Sequence, residues 1–517
     1  MAMTRTLTGR TVIYTDVDVI DRSNVVEVLN KALETHDVNK NDIQYLYDYY
    51  KGKQPILERV KDIRPEINNK LVENRANEIV SFKVGYLMGE PIQYVCRGGS
   101  DEHSEAINQL NEFVFAEDKA AKDKELADWF TICGTSFRMV LPDAVDDDVD
   151  EAPFEIYTLD PRYSFVVYHN GLGNKRKMGV KYIIKQDNSI VYSVYTDAMY
   201  FEIKDGKVLK AEPHSLGCVP IIEYPANTAR LGAFEIVLPL LDAINEVGSN
   251  RLDGVEQFVQ SILLLKGVDI DSDDFKALKE NGGLKVPPEG DAKYLVQELN
   301  QTQTQTLVDY MYQTVLTICG MPNRNGGSST SDTGSAVIMR DGWSAAEARA
   351  KDTELMFKMS EKEFLRLVIS IANTLRDMNL KLSAIEIRFT RRNYENIQEK
   401  AQVLTTMLSN NKIHPRLAFE HCGLFVDPEL AYTESKEYAE EREAELLKEL
   451  ETDSAQKMTV ARMTQTKARI MMTTLKAIDV SCDKNGEIVL HLFLSDGSWE
   501  TFKLSRSDVV AFLDKEV

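Results

Sequence analysis

Residues 233–265 read AFEIVLPLLDAINEVGSNRLDGVEQFVQSILLL. Apolar side chains recur at Val237, Leu240, Leu241, Ile244, Val247, Leu252, Val255, Val259, Ile262 and Leu263, with Asp242, Asn245, Asn250, Asp253, Gln257 and Gln260 on other faces. This spacing predicts one long amphipathic helix, Glu235 to Leu265, about 45 to 50 Å long at roughly 1.5 Å per residue. A short α/β insert follows, with a strand-like stretch from Leu263 to Ile270, a helix at Ser272 to Asn281, Gly282-Gly283, and short segments at Leu284 to Pro288 and Ala292 to Val296. A second helix, Glu298 to Cys319, leads back. The pattern is a stalk of paired helices carrying a compact cap.

On the N-terminal side, Ser23 to Thr35 and Lys40 to Lys51 read as helices, and Asn68 to Leu87 as another that stops at Gly89-Glu90-Pro91. One more helix is expected from Ser104 to Ile132. Between Ser136 and Glu223 the period changes to alternation, with turns at Asn170-Gly171, Asp187-Asn188 and Asp205-Gly206, which predicts an antiparallel meander between helical blocks. On the C-terminal side, Gly320 to Gly334 is rich in Gly, Ser and Asn. A long helix then runs from Gly334 to about Asn379, kinked near Gly342, followed by a strand at Ile385 to Phe389 and helices at Tyr394 to Leu408 and Pro415 to Gly423. Residues 427–453 hold eleven acids against Lys436, Arg442 and Lys448, a net of −8, which reads as a solvated helix. After residue 453 a basic, Met-rich helix (Gln456 to Ala477), a hairpin, a further strand at Trp499 to Leu504 and a final helix suggest a small αββ(β)α unit.

Composition narrows function by exclusion. The 517 residues carry 61 Lys+Arg against 82 Asp+Glu, a formal charge of −21. Tight gripping of nucleic acid rests on Lys and Arg releasing counterions, so this balance argues against it. No apolar N-terminal leader or window of about 18 apolar residues is present, so a soluble cytosolic chain with no membrane association is expected. The six cysteines stand singly and read as free thiols. No phosphate-binding glycine loop, nucleophile elbow or zinc spacing occurs. Asp146, Asp148 and Asp150 have calcium-loop spacing, but Glu151 stands where the loop needs Gly and Tyr157 where it needs a bidentate Glu, so a solvated hairpin loop is the better reading. Gly171-Leu-Gly begins like a dinucleotide fingerprint but sits in a hairpin turn. His414 and His421 share a helix face without a third ligand, and His421 with Cys422 reads as core packing. No catalytic residue, metal or cofactor is expected.

The order of elements, mainly α with α+β parts, resembles the portal proteins of tailed bacteriophages, of the siphophage head-to-tail connector type. Local motifs carry the resemblance over roughly residues 40 to 450. Tyr49-Tyr50-Lys51-Gly52 with Ile56, Asn68-Asn69-Lys70-Leu71 through Asn74 and Ile79-Val80, and Gly85-Tyr86-Leu87-Met88-Gly89-Glu90-Pro91-Ile92 are similar to family signatures. So are Gly217-Cys218-Val219-Pro220-Ile221-Ile222-Glu223 with Asn227, Thr333-Gly334-Ser335-Ala336, and Phe425-Val426-Asp427-Pro428-Glu429.

The resemblance implies a ring of identical subunits, usually twelve, with a central channel. Carried over by segment, it implies an N-terminal arm (1–39), a wing (40–232), a first stem helix (233–265), a clip (266–297), a second stem helix (298–319), a wing return (320–393), a crown (394–453) and a C-terminal extension (454–517). The clip would meet motor and adaptor through Asp269, Asp271, Asp273, Asp274, Lys276, Lys279 and Lys285. Arg340-Asp341-Gly342-Trp343-Ser344 is the candidate tunnel loop, with a plain kink and Trp343 in the core as its alternative, and Gly320 to Asp332 as the other tunnel position. Implied partners are the terminase large subunit, head-completion or adaptor proteins, major capsid and scaffolding proteins, and double-stranded DNA passing without sequence preference. The implied location is the portal vertex of a virion assembled in host cytoplasm. A soluble helical enzyme with a dispersed site, or a scaffolding or minor capsid protein, are the rival classes.

Overall fold

His36 and Asn39 interrupt the apolar spacing of the first helical stretch, yet the computed structural model shows one helix, α1 (Val25–Tyr50), running through both. Each polar side chain is satisfied inside the core. Asn39 accepts from the Thr11 amide at 2.9 Å and donates to the Thr11 carbonyl at 2.8 Å. The His36 Nε2 lies 3.1 Å from the Tyr182 hydroxyl, and burial pushes the imidazole down to about 4, so it is neutral at pH 7. The expected break is therefore absent, and a boundary at residue 39 would cut a helix.

The structure describes residues 7–97, 103–143, 152–259, 262–267, 288–295, 301–323, 342–376, 378–391, 397–425, 428–448, 475–482, 488–494 and 497–504. Two compact units, Met1–Ala401 and Gln402–Val517, divide the chain.

In the first unit β1 (Ile13–Thr15) and α1 precede α2 (Arg75–Leu87), β2 (Gln93–Cys96), α3 (Ser104–Ala116) and α4 (Lys119–Cys133). The single helix expected over 104–132 is two, because Asp118 takes a left-handed conformation (φ 49°) between them. The alternating region then forms β3 (Thr135–Pro142), β4 (Phe154–Leu159), β5 (Ser164–His169), β6 (Arg176–Ile184), β7 (Ile190–Tyr195), β8 (Met199–Lys204), β9 (Lys207–Pro213) and β10 (Ile221–Pro225). Strands β5 to β9 are the expected meander. The N-terminal β1 joins its edge in parallel, Ile13 opposite Val167. Strands β10, β3 and β4 make a separate antiparallel sheet, Glu223 opposite Phe137 and Phe137 opposite Leu159. Residues 135–140 of β3 are buried throughout, so alternation fails there as it does for strands covered on both faces.

Helices α5 (Leu238–Val259), α6 (Gln301–Cys319) and α7 (Trp343–Arg376) follow, with β11 (Ile262–Lys266) paired to β12 (Asp291–Leu295) between the first two. Strand β13 (Ile385–Arg388) returns to pair with β2. One core lies between α1 and the six-stranded sheet, around Leu29, Phe165, Val180 and Phe201. The other gathers α2, α3, α4, α5, α6 and α7 on the three-stranded sheet.

The second core contains a group of charges. Glu361 of α7, with no exposed side-chain surface, lies 2.7 Å from the Lys119 ammonium and 3.4 Å from the Arg138 guanidinium. It also accepts from Tyr94 at 2.5 Å and Tyr224 at 2.7 Å. Asp123 closes the group, paired with Lys119 at 2.6 Å and with Arg138. Burial alone would push the Glu361 carboxyl up, but Lys119 and Arg138 outweigh it and hold the group below its ordinary range.

In the second unit, the division falling inside α8 (Ile397–Leu408), α9 (Pro415–Cys422) is capped by the His414 side chain accepting from the Arg416 amide at 3.2 Å. Cys422 is buried, but His421 is exposed rather than core. The acidic run forms a helix over residues 428–448, α10, exposed from residue 433 onward. Tyr432 holds its start against Phe419. Strands β14 (Leu475–Cys482), β15 (Ile488–Leu494) and β16 (Trp499–Leu504) form an antiparallel meander, Val480 opposite Leu490 and Leu490 opposite Phe502. The basic stretch is thus strand by Leu475 rather than helix to Ala477, while most of that helix and the final one lie outside the described residues.

Removing one member of a buried ionic group leaves its partners uncompensated. Glu361→Ala is expected to lower unfolding free energy by about 3–5 kcal/mol in urea titration. Because the folded carboxyl is held low, its contribution is full above roughly pH 4.3 and fades as pH falls through the folded value. Glu361→Gln should blunt that acid loss of stability.

Candidate functional site: the paired helices

The stalk begins shorter than its sequence suggests. Helix α5 ends at Val259, about 33 Å from its start at roughly 1.5 Å per residue. The ILLLK run at 262–266, where the helical and the strand-like readings overlap, is β11, as the strand-like reading from Leu263 expects. A short unbroken apolar run has no periodicity to separate the two conformations, and pairing with β12 decides it. Residues 268–287, which hold Asp269, Asp271, Asp273, Asp274, Lys276, Lys279 and Lys285, lie outside the described residues, as do the Asp146 to Asp150 loop, Arg340 and Asp341.

The polar face of α5 is turned inward. Asp242, Asn245, Ser249 and Asp253 follow one another at three- and four-residue spacing, hence along one face. The Asp242 carboxylate accepts from the Tyr49 hydroxyl at 2.9 Å. Asn245 accepts from the Glu73 amide and Ser249 from the Leu71 amide, both at 2.9 Å. Asp253 accepts from the Asn69 amide at 2.7 Å and its side chain at 3.0 Å, and pairs with Arg59 at 2.9 Å and with Lys61. Segment 69–73 belongs to no helix or sheet, so its amides need acceptors from elsewhere, and the helix supplies them. Asn245, Ser249 and Asp253 are buried, and it is the apolar Leu252 and Val255 that are 43% and 46% exposed.

Helix α6 lies beside α5, with Arg251 donating to Gln305 at 2.8 Å. It is fixed to α2 through the Tyr312 hydroxyl donating to Glu78 at 2.7 Å and the Arg75 guanidinium 4.1 Å over the Tyr312 ring. At its end the Gly320 amide donates to Thr317 at 3.2 Å and the Met321 amide to Leu316 at 2.8 Å. Gly320 itself has φ +65°. This is a Schellman end, which needs the left-handed region that glycine enters without strain. Exposed apolar side chains continue along α6 at Leu307 and Tyr310 and on α7 at Leu355 and Met359.

Of the loop candidates, the described residues are Gly342, Trp343 and Ser344. Gly342 has φ +83° and its carbonyl receives the first amide bonds of α7, from Ala345 and Ala346 at 3.2 Å. Trp343 is half-buried, its ring 6.1 Å from Phe82 and 6.0 Å from Tyr86 of α2, and Ser344 is exposed. The structure therefore anchors the C-terminal end of that stretch on α2.

Among the described residues no group of three or more His, Cys, Asp or Glu is placed to hold a metal ion, and no helix is long and apolar enough to cross a membrane. Cys133, Cys319 and Cys422 are buried, Cys96 and Cys218 half-buried, and none of these five forms a disulfide. Burial pushes the Cys133 thiol up to about 12 and the Cys319 thiol up to about 11, away from the reactive thiolate.

The family model of phage portal proteins of the SPP1 Gp6-like kind matches residues 29–447. The chain belongs to that portal family. The motifs between Tyr49 and Glu429 lie within the matched span, which runs from α1 into α10 and leaves β14, β15 and β16 outside it. The SPP1 Gp6-like portal proteins are structural rather than enzymatic. Among solved structures the chain is similar to one in the neck of an empty GTA particle, computed with C6 symmetry. That likeness has 11% identity and a TM-score of 0.39, and covers 68% of this chain and 90% of that one. No curated protein matches it.

The α5 stripe makes a direct prediction. Asp253→Ala removes the acceptor of several donors and is expected to cost about 1.5–3 kcal/mol in denaturant titration. The neighbouring exposed Val255→Ala should stay within about 0.5 kcal/mol of the parent.

Proposed function

We propose that this portal-family chain is the subunit of a twelve-membered ring at one capsid vertex. Through its channel the terminase large subunit drives double-stranded DNA inward, and DNA later leaves by the same route. The observation that carries the reading beyond the family match is the row of exposed apolar side chains on the paired helices, Leu252, Val255, Leu307 and Tyr310. Apolar side chains exposed on both helices of the pair are surface that neighbours in a ring would cover.

The segments take the roles of wing (40–232), stem (α5 and α6), clip (266–297), wing return with tunnel loop (320–393) and crown (394–453). The clip meets the motor and, after packaging, the head-completion proteins; the crown faces the interior built by major capsid and scaffolding proteins. The loop Arg340 to Ser344 approaches DNA, with Gly342 as the point where the chain leaves helical geometry. A charge of −21 on each subunit, repeated around a ring, repels a phosphate backbone and favours transit over retention.

Mass tests the reading at once. Twelve copies of 58.6 kDa give a particle of about 700 kDa with a central hole in negatively stained images. A chain that stays monomeric or dimeric at micromolar concentration, alone and with its capsid proteins, would overturn it. Deleting residues 266–297 should leave the ring intact and abolish motor docking; packaging at the parental level would refute the clip assignment.

A further inference from the structure

Between α2, the root of α5 and the first half of α7 lies a cavity of about 590 Å³, lined among others by Phe82, Lys83, Tyr86, Ile318, Arg349 and Leu355. Its rim is apolar and open to water: Ile236 is 55% and Leu355 68% exposed. Two cations face it. Nearby cations have carboxylate partners: Arg75 pairs with Glu73 and Glu78, and Arg391 with Glu347 and Glu354. Neither the Lys83 ammonium nor the Arg349 guanidinium has a hydrogen-bond or ion-pair partner among the described residues. Asp352 lines the same rim but pairs with neither. The Lys83 side chain is half-buried, and burial, reinforced by the Arg349 charge, pushes it below its ordinary value. Arg349 is exposed and its stem passes close to Gly320, where an added Cβ would lie 2.7 Å from the Arg349 Cγ.

Unanswered positive charge beside exposed apolar surface describes half of an interface. We propose that this groove is the socket for a second copy of this chain, which inserts apolar surface carrying at least one carboxylate opposite Lys83 and Arg349. The inference rests on the ring reading and locates one of its contacts. In a cyclic ring each subunit meets the next through two different faces, so a charge left unpaired on one face is answered from the other. With 82 acids against 61 bases, carboxylates outnumber the cations that could pair with them, so some are left to answer a cation on a second copy. DNA is the less fitting occupant, because a phosphate backbone has no use for Ile236, Ile318 and Leu355 at the rim.

The full-length chain tests it in two ways. Mass photometry compares the parent with Lys83→Glu/Arg349→Glu, with circular dichroism and thermal melting confirming that both fold. Charge reversal should reduce the ring population at least about tenfold at equal concentration, since like charges across an interface cost more than the roughly 1.4 kcal/mol that a factor of ten requires. Separately, a photoreactive amino acid replacing the exposed Leu355 should crosslink to a second copy in the assembled ring. A folded double variant that assembles like the parent, or a ring in which position 355 crosslinks only to DNA or to nothing, overturns the socket while the ring stands. A parent that never assembles removes the ring reading first and the socket with it.

Discussion

A carboxylate sealed from water, Glu361, ties the long helix α7 to α4, β2 and the three-stranded sheet. It sits where α4, β3, β10 and β2 converge, and each contributes one group: Lys119, Arg138, Tyr224 and Tyr94. Ions buried this way gain little net stability over a well-packed apolar core, because desolvation offsets most of their attraction. Their consequence is registry. Sliding α7 by one turn would strand Glu361 among apolar side chains and leave Arg138 and Lys119 without a counter-charge. The start of α7, with Gly342 and Trp343, is thereby held at a set height on α2, and so is every side chain that α7 offers along its outer face.

The same logic orients the stalk. Helix α5 has two candidate faces, one apolar and one polar, and amphipathic reading would put the apolar one inward. The extended segment 69–73 reverses this locally, since its amides bind Asn245, Ser249 and Asp253. Once those acceptors are committed, Leu252 and Val255 can only point outward. The exposed apolar surface of α5 is thus a by-product of satisfying an irregular stretch of backbone.

Charge has a different distribution from the one its total suggests. The excess of acids lies largely on exposed surfaces such as α10, while the interior pairs its ions almost completely.

Much of this was legible in the one-dimensional pattern. Period and turn residues announced the meander of β5 to β9, the paired helices and the short strand at 385–388, and the order of motifs from Tyr49 to Glu429 pointed to the portal family that the match over residues 29–447 supports. These signals are local, or depend only on sequence order. What the sequence alone left undetermined depends on partners distant along the chain. His36 and Asn39 looked like a break until Tyr182 and Thr11 satisfied them. The ILLLK run fitted helix and strand alike until residues 291–295 paired with it. The polar stripe of α5 had no partner in the local pattern until segment 69–73 supplied one. In each case the side chain or backbone group is ambiguous by itself, and a hydrogen bond across dozens to hundreds of residues, which no local pattern encodes, settles which way it faces.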